Sequence, residues 1–181
     1  LSASRPATIY SRCQTWVINP PPIETAFNWL QKQYPDKMDE IPTALRINYA
    51  RPLAAAETLE KGLLEKRREF LRQFWLFYSR RSPLEILPHF DKTLLFQQID
   101  WLAAFLSDAL KDKLGIRENW ISQDLERGIQ QFNQKQTVLG LLKANQILQK
   151  MRSDLSLVNA VNQELILLDG LTQLITEVFE N

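Results

Sequence analysis

All nine prolines of this 181-residue chain lie at or before Pro88, and the rest of the chain has none. Proline has no N–H to donate, and its ring clashes with the preceding turn, so it breaks helix interiors. The second half is therefore free to build long helices, while the first is punctuated into short pieces. From Leu63, the residues Leu64, Phe70, Leu71, Phe74, Trp75 and Tyr78 form an apolar stripe, with Glu65, Lys66, Arg68, Glu69 and Arg72 opposite. That is the pattern of an amphipathic helix. Ser82-Pro83 opens a short segment, and Asp91 is the expected N-cap of the next helix. The stripe of that helix is Leu95, Ile99, Leu102, Leu106 and Leu110. Lys111, Lys113 and Gly115 supply its stop signal. Ser122 is expected to cap a helix carrying Leu125, Ile129 and Phe132. Val138, Leu141, Leu142, Leu148 and Met151 continue the pattern, and a last helix is expected from about Val158 to Phe179.

The proline-rich half reads differently. Gln14 to Ile18 is Gln-Thr-Trp-Val-Ile, a short strand by its β-branched and aromatic content. With no partner strand in this sequence, it is expected to fray or to pair across molecules. Pro20-Pro21-Pro22 ends it. Ile23, Phe27 and Leu30 then recur at helical spacing, with Glu24 in the first turn. Asp36 or Asp39 is expected to cap a second short helix bearing Ile41, Leu45 and Ile47, with Pro42 in its first turn. A third is expected from Pro52, and this small helical unit ends near Gly62. No self-similar period is present, which argues against a solenoid. The fold class is all-α.

Composition excludes several functions. Lys and Arg number 22 against 21 Asp and Glu, a formal charge of +1. A protein that lives on phosphate-backbone contacts shows a clearer basic excess. Cys13 and His89 are the only residues of their kinds. An intramolecular disulfide is therefore impossible, and a zinc site lacks its usual ligand set. The longest apolar runs, such as Leu165 to Leu168, are far too short to span a bilayer. The start shows neither a signal-peptide pattern nor an initiator Met, so the sequence reads as part of a longer cytoplasmic protein. No Gly-Lys-Ser/Thr phosphate loop occurs in it.

Ser11-Arg12-Cys13 precedes the expected strand. An arginine there is ordinarily a surface residue. Its alternative use is chemical: the guanidinium is always charged, and its fork of donors matches phosphate oxygens. Inserted from a neighbour, it stabilises charge developing during phosphoryl transfer. Thr8-Ile9-Tyr10-Ser11-Arg12-Cys13, then a strand, then Pro20-Pro21-Pro22, resembles the Ser-Arg-Cys motif of clamp-loader AAA+ subunits. Val161-Asn162-Gln163-Glu164-Leu165-Ile166-Leu167-Leu168-Asp169 resembles the last collar helix of the delta-prime branch of that family in bacterial DNA polymerase III, and the helices between are similar in order and length.

The resemblance implies residues 1–20 as the tail of a nucleotide-binding domain, 21–62 as a small helical lid, and 63–181 as a helical-bundle collar through which subunits assemble. It implies that Arg12, with Ser11 and Cys13, acts as an arginine finger toward the ATP of a neighbouring motor subunit. It further implies motor (gamma/tau) and delta subunits as partners, and the sliding clamp and primed DNA through the complex. No membrane partner, and no cofactor of this chain's own, is implied. On this reading the chain is not an enzyme alone but part of the polymerase holoenzyme. Leu165, Leu168, Leu171 and Ile175 are the expected oligomer-interface residues. ATP-hydrolysing relatives carry Gly-Ser-x-Arg at the start of the lid's last helix. Here that stretch is Ala50-Arg51-Pro52-Leu53, with Leu53 at the arginine position. That departure argues against self-contained hydrolysis, with Arg51 as the residue that could compensate.

Other features have plainer readings. Lys66, Arg67, Arg68, Arg72, Arg80 and Arg81 form a basic cluster, read as a solvated face interleaved with Glu65 and Glu69 rather than as a DNA contact. Trp75, Phe77 and Tyr78 are read as core rather than as a base-stacking platform. His89 has no nucleophile pattern beside it. Asp39/Glu40 and Glu57/Glu60 would need a cleft to do acid–base work. Two rivals remain: a free-standing helical adaptor that binds a partner helix in an apolar groove, and an ATP-hydrolysing AAA+ motor subunit.

Overall fold

Proline sets where the short helices begin. The computed structural model describes residue 19, residues 21–157 and residues 160–179, with the side chains of 160 and 161 excepted. Pro22 is the N-cap of α1 (Ile23–Gln33), and Pro42 and Pro52 occupy the first turns of α2 (Ile41–Ile47) and α3 (Pro52–Glu60). There the missing N–H is no loss, because first-turn donors have no intrahelical acceptor. The proline-poor remainder forms α4 (Leu63–Arg80), α5 (Leu95–Lys113), α6 (Glu126–Asn133), α7 (Val138–Leu155) and α8 (Ala160–Glu177). Every regular element among the described residues is helical. The expected strand at Gln14–Ile18 lies outside them.

The expected caps differ from those observed. Glu40, not Asp36 or Asp39, is the N-cap of α2; Asp36 is taken up in the 3-10 turn Pro35–Lys37. Asp91 closes a local turn instead, its Oδ1 accepting from Thr93 N (2.7 Å) and Oγ1 (2.6 Å), and α5 starts only at Leu95. Ser122 caps no helix with its side chain. Its N–H donates to Asp108 Oδ2 at 2.6 Å, and the chain makes a 3-10 turn at Gln123–Leu125 before α6. Short polar side chains bond readily to nearby backbone in several ways, so the residue type fixes a local bond but not which one. Among the described residues, Thr137 is the side-chain N-cap that forms, accepting from Gly140 N at 3.0 Å. Gly115 ends α5 as expected, with φ +74° and its N–H donated to Asp112 O.

Two clusters of apolar side chains hold the helices. The smaller packs Ala26, Leu30, Ile41, Leu45, Leu59 and Leu64 from α1 to the first turn of α4. The larger is built by α4 to α8. Within it α7 lies along α5, α8 along α7, and α6 against α5. Gly62, left-handed at φ +60°, joins α3 to α4. Directly after it, Leu63 enters the larger cluster and Leu64 the smaller. The centre of the larger core is aromatic. Phe132 is fully buried, with ring centroids at 4.8 Å from Tyr78, 5.4 Å from Phe105, 5.8 Å from Phe179 and 6.1 Å from Phe74. Edge-on pairs at such spacing suit the ring quadrupole. On α8, Gly170 lets α7 approach closely: a Cβ there would fall onto Met151 Cε.

Candidate functional site

Arg12, Ser11 and Cys13 lie outside the described residues. The segment matched to the nucleotide sensor is described. Arg51 is the N-cap residue of α3; its Nε donates to Asn48 O at 2.9 Å, and its guanidinium carbon lies 5.7 Å from the Tyr49 ring centroid. Leu53, in the first turn of α3, is 76% exposed. Tyr49 and Ala50 both have positive φ, 54° and 58°, so two non-glycine residues hold this bend in the left-handed region.

The basic cluster on α4 is largely neutralised by nearby carboxylates. Arg68 pairs with Glu65 (2.6 Å), Arg72 with Glu69 (2.8 Å), and Arg80 with Glu85 (3.0 Å). Arg81, in the left-handed conformation, stands over the rings of Tyr78 and Phe179 at 5.1 and 5.8 Å. The Gln73 amide and the Arg72 guanidinium hold Glu69 below the usual carboxylate range. Arg67 departs from the solvated-face reading. It is fully buried and donates to Asp124 Oδ2 at 2.7 Å. Its place in the sequence carried the signal. Leu64, Arg67, Leu71, Phe74 and Tyr78 follow spacings of three and four, so Arg67 sits on the buried seam.

Phe77 and Tyr78 are buried and Trp75 packs on the same core. The bases of a nucleic acid have no access to Phe77. His89 is exposed; its carbonyl accepts from Gln98 Nε2. Glu57 is exposed and paired with Lys61, not set in a cleft. Among the described residues, no group of three or more His, Cys, Asp or Glu is arranged to hold a metal, and no helix is long and apolar enough to cross a membrane.

The four residues expected at an oligomer interface separate on α8. Leu165 (65% exposed) and Leu168 (38%) face outward, whereas Leu171 is fully buried and Ile175 half-buried against the core. Leu171 is thus a correction: it faces inward with Leu167, Leu174 and Val178, which recur at helical spacing on the buried side. Beside α8 a groove of about 450 Å³ is formed by Leu87, Pro88, Phe90 and Leu95 with Gln163 and Leu167.

Residues 61–176 match the family model described as DNA polymerase III, delta subunit, C terminal. The chain belongs to this family. The matched stretch takes in α4 to α7 and α8 up to Thr176. The chain is also 59% identical over 179 residues to the DNA polymerase III subunit delta' of Haemophilus influenzae, covering 99% of this chain and 55% of that protein. It is 31% identical to the subunit delta' of Buchnera aphidicola subsp. Schizaphis graminum, covering 91% of this chain and 50% of the relative. The subunit delta' of Escherichia coli is 35% identical over 107 residues, 58% of this chain and 31% of that protein. The chain therefore spans about half the length of the first two of these relatives. The all-α reading of the sequence agrees with the helices described above.

Proposed function

We propose that the chain works as the C-terminal, assembly-forming part of a delta-prime subunit in the DNA polymerase III clamp loader. The observation that carries this reading is the 59% identity across 99% of the chain to a delta' subunit. On this reading residues 21–62 are the lid and residues 63–181 the collar. The outward residues Leu165 and Leu168 pack against helices of neighbouring motor (gamma/tau) or delta subunits. Exposed leucines on one helix face suit such packing, because burying the surface they still expose releases about 1–2 kcal/mol for Leu165 and about 0.5–1 kcal/mol for Leu168. Leu171 and Ile175 support that face from beneath.

Arg12 would act in trans on a motor subunit's ATP, and that nucleotide's state would govern opening of the sliding clamp and its loading onto primed DNA in the cytoplasm. The chain's part is scaffolding, not nucleotide addition. Leu53 supports this: an aliphatic side chain at the sensor position has no donor for a phosphate.

Light scattering after gel filtration tests the assembly role, with the chain alone and then mixed with the collar domain of the cognate motor protein. Co-elution at fixed stoichiometry is expected. No association at tens of micromolar would refute it. Arg12→Ala in the complete complex is expected to lower ATP hydrolysis while leaving assembly intact.

A further inference from the structure

Leu165 and Leu168 alone make too small a contact for the assembly role proposed above. They are 65% and 38% exposed, so together they offer about as much free surface as one whole leucine side chain. Leucine is smaller than the aromatic side chains, which bury roughly 150–250 Å² each. A specific interface buries about 800 Å² on each partner. The contact must therefore spread onto adjoining surface, and the anchors of such interfaces favour well-packed apolar pockets. A pocket of that kind adjoins α8. The 3-10 turns at Pro83–Glu85 and Leu87–His89 pack along this helix. The groove of about 450 Å³ lies beside it, with an apolar floor of Leu87, Pro88, Phe90, Leu95 and Leu167. Glu164, which lines the groove, stands one turn before Leu168 on the same side of α8. Leu84, 72% exposed in the first of the two turns, adds to the apolar surface.

The chemistry of the walls selects among occupants. A small-molecule pocket orients its ligand with a few fixed polar groups set in an apolar wall. None of the buried polar side-chain atoms that lack a partner belongs to this groove. Its charges stand at the edges instead: Lys92 on the chain leading into α5, and Glu164 on α8. Both are exposed, and among the described residues neither makes an ion pair. An apolar floor between two free charges of opposite sign suits an amphipathic helix, which lays its apolar stripe inward and its polar flanks against the edges. Opposite charges on the two edges also fix which way round that helix lies, because the reversed arrangement sets like charges together.

We propose that the groove between α8 and residues 87–95 seats one amphipathic helix of a neighbouring polymerase III subunit. A large aliphatic or aromatic side chain of that helix anchors in the groove, with an acidic residue toward Lys92 and a basic one toward Glu164. The proposal rests on the assembly role above, and adds where the anchor goes and how the partner helix is oriented.

The test titrates the 181-residue chain with the full-length cognate motor and delta subunits together, and reads the dissociation constant by calorimetry. Gln163→Trp places a bulky ring in the groove wall without touching Leu165 or Leu168. It is expected to weaken binding at least about tenfold, because it displaces the anchor. Lys92→Glu is expected to weaken binding about three- to tenfold and to change its salt dependence. Lys135→Glu reverses a charge on an exposed residue outside the groove and is expected to bind as the wild type does. If Gln163→Trp fails to fold, Lys92→Glu against Lys135→Glu carries the test, since both sites are exposed. Wild-type affinity in both groove variants would overturn the proposal and leave the assembly role standing. Equal losses in Lys92→Glu and Lys135→Glu, with none in Gln163→Trp, would overturn it in favour of diffuse charge attraction. A chain that dimerises alone, and is made monomeric by Gln163→Trp, would overturn it by giving the groove to a second copy. No binding by the wild type would remove the assembly role, and this proposal with it.

Discussion

Replacing Phe132 probes how α6 and α8 are tied to the rest of the larger bundle. Phe132 is fully buried, and four rings approach it within 4.8–6.1 Å. Phe132→Ala removes the ring and leaves a void that close-packed neighbours fill only in part, a change that costs about 3–5 kcal/mol. With an m value of about 2 kcal/mol per molar urea, the unfolding midpoint should fall by roughly 2 M. Phe132→Leu keeps most of the apolar volume but forfeits the edge-on ring pairs, so about 1–2 kcal/mol is expected. A coupling between rings is expected as well. Phe132 and Phe179 stand at 5.8 Å and 86°, so the cycle of Phe132→Leu with Phe179→Leu should show about 0.5–1.5 kcal/mol of interaction. Far-UV circular dichroism during urea titration reads all of these. A midpoint change below about 0.5 M for Phe132→Ala, or a vanishing coupling with Phe179, would show that this cluster does not hold the bundle together.

Asp124→Ala should destabilise by about 2–4 kcal/mol, because it strands the buried Arg67 charge; Asp124 is itself about a quarter exposed, which tempers the loss. Replacing the pair together, as Arg67→Met with Asp124→Leu, should destabilise less than Asp124→Ala in the same urea titration, since no unpaired charge is left behind. The Asp91 carboxyl should titrate below the ordinary aspartate range, because the Thr93 hydroxyl and then the Thr93 N–H favour its charged form. With the folded pKa depressed, its contribution is present above the unfolded pKa and is lost as pH falls through the folded value. Carbon-detected NMR titration should show the Asp91 midpoint moving upward in Thr93→Val. Leu165→Asp with Leu168→Asp should leave the isolated chain folded at a cost of about 1–2 kcal/mol, from the lower helix propensity of Asp and the packed part of Leu168, which is 38% exposed. The same double substitution should abolish co-elution with the collar of the motor protein; retained co-elution would place the contact elsewhere.

Pattern reading succeeded where a residue has one structural use. Proline has few, and Pro42 and Pro52 stand in the first turns of helices as expected. Gly115 likewise stops α5 through a left-handed turn. The failures involve residues with several uses. Asp91 and Ser122 are both able to cap, but the first closed a turn on Thr93, and the second had its N–H captured by Asp108 from another element. Charge misled more. Arg67 is buried on its helix and is stabilised by Asp124, a partner 57 residues along the chain that no local window contains. On α8, four consecutive apolar residues from Leu165 to Leu168 blurred the helix face. The spacing of Leu167, Leu171, Leu174 and Val178 resolves it, and thereby separates Leu171 from its outward neighbours. Arg12 was singled out by its motif and lies outside the described residues.

Leu63 and Leu64, consecutive residues serving different cores, also set the order in which the chain can assemble. Everything the smaller cluster needs lies between Ala26 and Leu64. Its contacts are short in sequence, so its loop-closure entropy is small and collapse is fast. The larger cluster requires Phe179 to reach Phe74 and Phe77 across most of the chain. During synthesis from the N-terminal end, the first unit can form while the second still lacks its closing ring. By fixing Leu64, that early unit would already hold the first turn of α4, giving the long helix a nucleus from which to grow.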